Sequence, residues 1–118
     1  MAESNLKDLF FLNEDIRGFD NVIVYGAGNA GKGVFLRLLQ HNVKTLCFAD
    51  SDPEICGSRY LNIPVVHIDD LAEYRSSAAV VVCGRFALTV AEELEKRGFV
   101  HIFMDHGNDS GVVHLDRE

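Results

Sequence analysis

Three glycines spaced as Gly26-x-Gly28-x-x-Gly31 follow an apolar run directly and open a segment with helical periodicity. Glycine at 26 permits a tight strand-to-helix turn, and glycine at 28 removes a side chain that would keep a pyrophosphate away from the backbone. Glycine at 31 lets the helix lie close to the strand. The start of such a helix presents unpaired N–H groups and a partial positive charge. The spacing therefore predicts a phosphate-binding loop, beside which Lys32 is either a mobile charge or simply solvated.

An acidic residue stands where a ribose contact is expected. Asp50 closes the second apolar run, 22 residues after Gly28. A carboxylate at the carboxyl end of that strand accepts hydrogen bonds from both ribose hydroxyls. Because it repels a 2′-phosphate, NAD or another unphosphorylated ribose is preferred over NADP. Ser51, the next residue, is included in the predicted cofactor site.

The third apolar run ends at Cys83-Gly84-Arg85. In a parallel sheet this end lies across the topological switch point from the first strand, so its loop borders a bound nucleotide. Arg85 pairs with a phosphate in one interpretation and is an ordinary surface arginine in the other. The complete predicted cofactor-binding set is Gly26, Gly28, Asn29, Ala30, Gly31, Lys32, Asp50, Ser51, Cys83, Gly84 and Arg85.

The cysteine and histidine pattern predicts neither a metal site nor a catalytic residue. The five histidines and three cysteines form no HxH, HxxxH or CxxC pair, which are spacings typical of metal ligands. Cys47 and Cys83 lie in apolar runs and are expected to be buried thiols in a reducing compartment. In a weaker alternative Cys83 is a redox sensor beside the nucleotide, and a thiol pKa that is not lowered counts against it.

Strands and helices must alternate to position these residues. Apolar runs predict five strands, and helical periodicity predicts a helix after the glycine loop and another near the end of the chain. Asp69-Asp70 is expected to cap a short helix, and Pro64 favours an edge strand because proline cannot donate to a ladder. The predicted strands are 21–25, 44–49, 63–67, 78–83 and 99–104. The first predicted helix follows the glycines, has Val34, Leu38 and Leu39 on one face and ends near 41–42, and the other predicted helices are 71–75 and 86–97.

This alternation predicts an α/β fold. We expect one Rossmann-like, three-layer domain over 1–118, with a mostly parallel sheet of about five strands. An N-terminal helix within a helical lead-in, 1–20, precedes it, and a polar tail, 105–118, follows it. The length of 118 residues fits one domain, and 47% hydrophobic with 25% charged residues is typical of a globular chain.

Charge and hydropathy limit the partners. No apolar run reaches the ~20 residues that span a bilayer, and the first residues lack the features of a signal peptide. We therefore expect a cytoplasmic protein without membrane contact. A net charge of −7 with no basic stripe excludes nucleic acid as an expected partner. A small phosphorylated ligand remains compatible, because backbone N–H groups bind phosphate locally.

The segments V-I-V-Y-G-A-G-N-A-G-K (22–32), C-F-A-D-S-D-P-E-I-C-G (47–57) and I-P-V (63–65) resemble the small N-terminal Rossmann domain of bacterial polysaccharide-biosynthesis proteins. These include capsule-type nucleotide-sugar dehydratases and epimerases, and sugar-amine acetyltransferases. The resemblance implies a nucleotide or UDP-sugar over the glycine loop, with Asp50 near the ribose. Ala30 stands where the acetyltransferases have a histidine, and the larger catalytic domains have no counterpart, so no catalytic residue is carried over.

Two functions follow as hypotheses. In the first, the chain binds NAD(H) or a nucleotide-sugar as a module of a larger sugar-modifying enzyme, with a homodimer or a downstream catalytic domain as partner. In the second, it is a degenerate regulatory or protein-interaction module that binds no nucleotide. The two differ in whether the phosphate site of the loop is open or filled by the protein itself.

Overall fold

A six-stranded sheet forms the centre of the molecule in this computed structural model, which describes residue 16 and residues 18–105. Its spatial order is β3-β4-β2-β1-β5-β6, and all neighbours are parallel except the antiparallel pair β3 and β4. The strands are β1 (Val22–Tyr25), β2 (Cys47–Asp50), β3 (Arg59–Tyr60), β4 (Ile63–His67), β5 (Ala79–Cys83) and β6 (His101–Asp105).

Two α-helices and one 3-10 helix connect the parallel strands. They are α1 (Asn29–Gln40), the 3-10 helix (Ile68–Tyr74) and α2 (Ala87–Lys96). The buried residues of α2 are Ala87, Ala91 and Leu94, which the helical period places on one face. Since β1 to β2 and β5 to β6 progress in opposite directions across the sheet, right-handed crossovers place α1 and α2 on opposite faces. The predicted three-layer α/β architecture with a mostly parallel sheet is confirmed.

The central strands carry the core. Val22–Val24 of β1 and Ala79–Val82 of β5 are buried throughout. Continuous burial is expected of parallel strands covered on both faces, and it explains why these segments are unbroken apolar runs. The order reverses at β1, whose neighbours β2 and β5 lead outwards in opposite directions. The carboxyl ends of β1 and β5 therefore form the topological switch point.

The edge beyond β2 differs from the prediction. The sheet has six strands because Arg59–Tyr60 pairs with the start of β4. Leu61 and Asn62, with φ of 53° and 69°, form the two-residue turn between them. Pro64 therefore does not mark an edge strand. The parallel register of β4 with β2 begins at Val65, so that ladder does not need a donor at Pro64.

Two shorter elements also depart from expectation. The 3-10 helix begins before the predicted 71–75, and its N-cap is His67, whose Nδ1 accepts from the Asp69 amide, not Asp69-Asp70. Asp105 belongs to β6 instead of the polar tail. Its side chain is buried and forms an ion pair with Arg37 of α1.

The ends of the chain lie largely outside the described residues. Of the predicted helical lead-in, residue 16 and residues 18–20 are described, and Ile16 is buried against the core. Phe19 packs edge-on against His101 and Phe103 of β6. The predicted tail after Asp105 lies outside the described part. Within residue 16 and residues 18–105, none of the helices has the length and apolarity required to cross a membrane.

Candidate functional site

The glycine loop joins β1 to α1 through a turn that needs two of its three glycines. Gly26 has a φ of +106°, a region that L side chains rarely adopt. A β-carbon on Gly31 would lie 1.9 Å from the Gly26 carbonyl oxygen and 3.6 Å from the ring of Phe48. The turn and the close approach of α1 to the sheet therefore account for glycine at these two positions.

Gly28 is different, because nothing in the fold requires it. Its φ of −148° and ψ of −163° are open to other residues, and a β-carbon there would meet no atom within 4 Å. Gly28 is the N-cap of α1 and is exposed to solvent. The space above it is where the sequence predicts a pyrophosphate.

The N-terminus of α1 has free donors. No side chain caps it, and its first turn contains no acidic residue. The Lys32 amide donates to the Gly28 carbonyl, whereas the amides of Asn29, Ala30 and Gly31 have no partner among the residues described. Such amides and the helix dipole favour an anion. The space that a β-carbon on Gly28 would occupy, in front of these amides, is free of other atoms within 4 Å.

Asp50 fastens this loop to β2. Its Oδ2 accepts from the Ala27 amide at 3.1 Å, and its Oδ1 accepts from the Asp52 amide at 3.0 Å. The Gly26 amide donates to the Ala49 carbonyl at 2.7 Å. Each carboxylate oxygen has a second lone pair, so Asp50 retains acceptor capacity beside the loop.

The end of β5 approaches the loop from the other side. Gly84, with φ of +87°, lies so close to α1 that a β-carbon there would be 3.6 Å from Cβ of Ala30. Cys83 Sγ lies 3.6 Å from the Tyr25 carbonyl oxygen. These contacts bring the end of β5 close to the first turn of α1 and to the end of β1.

Three predicted residues stay at the periphery. Lys32, Ser51 and Arg85 are exposed. The Arg85 guanidinium lies over the ring of Phe86, 5.6 Å from its centroid, and Phe86 is itself 66% exposed. Arg85 therefore stands at the rim of the switch point in a cation–π contact with its neighbour.

The cysteines do not offer an activated nucleophile. All three are free thiols. Burial raises the pKa of Cys83 to about 11, although Arg37 acts in the opposite direction, and burial also raises that of Cys47 to about 11. A raised pKa disfavours the thiolate, so a redox-sensor role for Cys83 is not supported. No group of three or more metal-ligating side chains occurs in the described part of the chain.

Two residues beside the loop were missed by the sequence reasoning. The Tyr60 hydroxyl donates to the Gly28 carbonyl at 3.3 Å, and its ring packs against Phe48 at 5.2 Å between centroids. His67 ends β4 and lies opposite Asp50 in the parallel register. No local pattern identifies Tyr60. From the sequence, His67 is only one of five histidines without metal-ligand spacing, although parallel strands end at one edge of the sheet and His67 therefore lies near Asp50.

A cavity also lies away from this site, at the amino ends of the strands. It is lined by Phe19, Asp20, Gln40, His41, Asn42, Val43 and Lys44. None of these residues belongs to the predicted cofactor set. This cavity and the glycine loop therefore lie at opposite ends of the strands.

Comparison with known families corrects the resemblance drawn from the sequence. A family model described as C2185-like, N-terminal, matches residues 18–101. The assignment to polysaccharide-biosynthesis proteins is wrong. Part of the segment on which it was based forms turns, since Asp50 accepts from the Asp52 amide and Asp52 accepts from the Glu54 amide at 2.9 Å. A turn of this kind is shared by proteins of different function. No curated protein matches the chain.

Solved structures share the fold. The chain is similar to a crystal structure of RSP, a Rex-family repressor, with 19% identity, a TM-score of 0.59, and coverage of 80% of this chain and 49% of that one. It is also similar to RSP in complex with beta-NAD+ and operator DNA, with 21% identity, a TM-score of 0.55, and coverage of 80% and 48%. The chain therefore spans about half the length of these neighbours.

The second neighbour also corrects the predicted partners. Excluding nucleic acid on the basis of charge is wrong, because a protein with this fold was solved on operator DNA. The net charge of −7 belongs to one chain. The match covers 48% of the DNA-bound neighbour, so the charge of this chain alone does not decide whether a protein with such a domain binds DNA.

Proposed function

This chain belongs to the C2185-like N-terminal family, and we propose that it is a nucleotide-binding module for NAD(H). The dinucleotide would lie across the carboxyl ends of β2, β1 and β5. Its pyrophosphate would rest on Gly28 and the first amides of α1. We assign no catalytic role to any described residue. A homodimer, or a downstream domain that carries the catalytic residues, remains a prediction.

The observation that carries this proposal is the open N-terminus of α1. The amides of Asn29, Ala30 and Gly31 lack partners in the described part, and Gly28 leaves the space in front of them clear. Glycine at 28 is not needed for the turn or for packing. Close approach of a ligand to the backbone would explain why residue 28 is a glycine. The net charge of −7 does not oppose this, because the anion would meet backbone donors.

Asp50 supports an unphosphorylated ribose. Its carboxylate is held beside the loop by the Ala27 and Asp52 amides, and it keeps acceptor capacity for ribose hydroxyls. A 2′-phosphate at that position would meet a like charge. A neighbour of the same fold was solved with beta-NAD+, which supports NAD(H) over a UDP-sugar. Three free thiols support a reducing compartment, and we propose the cytoplasm.

Isothermal titration calorimetry tests the proposal with NAD+, NADH, NADP+ and UDP-glucose on the full chain. We expect NAD+ or NADH to bind at least tenfold more tightly than NADP+, with UDP-glucose weaker than either. The Gly28→Ser variant should lose this binding while remaining folded. Absence of binding for all four ligands at millimolar concentration overturns the proposal and favours the alternative of a degenerate interaction module.

A further inference from the structure

His67 holds an imidazole at the same edge of the sheet as Asp50. The two residues are register partners in neighbouring parallel strands, so their backbones lie about 4.8 Å apart. β1 is the next strand beyond β2. His67 is therefore two strand spacings, about 10 Å, from the end of β1 where the glycine loop begins.

One nitrogen of this imidazole is already occupied. Nδ1 accepts from the Asp69 amide at 3.1 Å and thereby caps the 3-10 helix. Asp69 in turn bonds Arg97 of the loop after α2 at 2.5 Å. Asp69 Oδ2 also lies 3.5 Å from Nδ1. While Nδ1 accepts from the amide it has no proton, and the neutral ring then carries its proton on Nε2; a ring that is protonated on both nitrogens carries one there too.

The second nitrogen is available. Nε2 has no hydrogen-bond partner among the described residues. It is also not a buried polar atom, because the buried side-chain nitrogen or oxygen without a partner in that part of the chain is Thr45 Oγ1. Nε2 therefore reaches the surface, although the side chain as a whole is only 27% exposed. A half-buried ring held by its cap is a preorganised donor, because little conformational freedom remains to be lost on binding.

We propose that His67 is the base-contacting residue of the nucleotide site, with Nε2–H donating to a ring nitrogen of adenine. This inference rests on the proposed function. The phosphates would lie at the end of β1 and the ribose at Asp50 on β2. The next strand in the same direction is β4, which ends at His67, so the base would lie near His67. The phosphate-to-base length of an extended nucleotide is comparable with the two strand spacings.

The test compares wild type with His67→Asn for binding of NAD+ and ADP. Asparagine retains an acceptor for the Asp69 amide, since it is a good N-cap, but it lacks the distal donor. Loss of one neutral hydrogen bond predicts a rise in both dissociation constants of about three- to tenfold. His41→Asn, at the opposite edge of the sheet, is the matched control and should leave both constants unchanged.

Imidazole nitrogen chemical shifts give a readout that a purely structural role would not move. In the free protein they should show the Nε2–H form for His67, and saturation with ADP should shift Nε2 more than Nδ1. Unchanged binding in His67→Asn, or unchanged Nε2 under saturating ADP, overturns the inference while the proposed function stands. Failure of wild type to bind NAD+ and ADP overturns both.

Discussion

The carbonyl oxygen of Gly26 occupies the position into which a side chain on Gly31 would project. A β-carbon at 31 would lie 1.9 Å from that oxygen. The close contact between the first turn of α1 and the residue after β1 therefore depends on the absence of a β-carbon at position 31. Gly28, only three residues earlier, has open space around its β-carbon position. The same motif thus contains a glycine required by the fold and a glycine that the fold leaves unexplained.

Gly31→Ala should destabilise the protein. The clash involves backbone, which cannot rotate away, so α1 must shift from the sheet at a cost of about 2–3 kcal/mol or more. Urea unfolding of wild type and variant measures the free energy of unfolding. Gly33→Ala is the control on the same helix, because its β-carbon meets nothing within 4 Å. It should stabilise the protein by about 0.5–1 kcal/mol, and a Gly31→Ala variant of wild-type stability would contradict the packing argument.

Gly28→Ser should separate binding from stability. Serine is a favourable N-cap, so the free energy of unfolding should stay within about 0.5 kcal/mol of wild type or rise. The added side chain stands in the proposed pyrophosphate position, and affinity for NAD+ should fall more than tenfold. Calorimetry and thermal unfolding measure the two effects. Gly33→Ala again serves as the control and should bind normally, whereas equal affinity in Gly28→Ser would exclude close approach of a ligand at this residue.

Asp50→Asn should weaken both the loop and the ligand site. The Ala27 and Asp52 N–H groups donate to different carboxylate oxygens, and the NH2 group of asparagine would face one of these donors, so a loss of about 1–2 kcal/mol is expected. Affinity for NAD+ should fall about tenfold or more, and preference over NADP+ should narrow because the like charge is gone. Asp52→Asn is the control, since the hydrogen bond that the Asp52 side chain accepts from the Glu54 amide needs only one oxygen.

The central fold was predictable because its signals are local. Unbroken apolar runs such as Ala79–Val82 are what burial on both faces requires, and the glycine turn follows from spacing alone. The β3–β4 hairpin was missed because Leu61 has a positive φ at the first turn position, where glycine or asparagine usually signals the turn; only the second position, Asn62, has a typical residue. A two-residue strand gives no periodicity to detect.

The candidate site was predictable only in part, for a similar reason. Residues adjacent in the motif, such as Gly26 and Gly31, could be placed from sequence, and the Gly84 to Ala30 contact follows from the parallel order. Tyr60 reaches the Gly28 carbonyl from 32 residues away, a contact that depends on where a short edge strand folds. His67 is the N-cap of the 3-10 helix that follows it, where the sequence predicts Asp69-Asp70, because its Nδ1 accepts a hydrogen bond from the Asp69 amide.

The buried thiols predict a loss of stability at alkaline pH. Burial raises the pKa of Cys47 and Cys83 to about 11, above the ordinary value of 9.0. The unfolded chain therefore releases these protons at lower pH than the folded chain. Stability is fully present below pH 9 and is lost as the pH rises towards 11, by at most about 2–3 kcal/mol for each thiol.

Comparison of wild type with Cys83→Ala at pH 8 and at pH 10.5 isolates this contribution. Alanine removes the titrating group, so the difference in unfolding free energy between the two pH values should be smaller in the variant by about 1–2 kcal/mol. Urea unfolding under reducing conditions provides the measurement. An identical pH dependence in both proteins would mean that Cys83 ionises as readily in the folded chain as in the unfolded chain, which would restore it as a candidate reactive thiol beside the proposed nucleotide site.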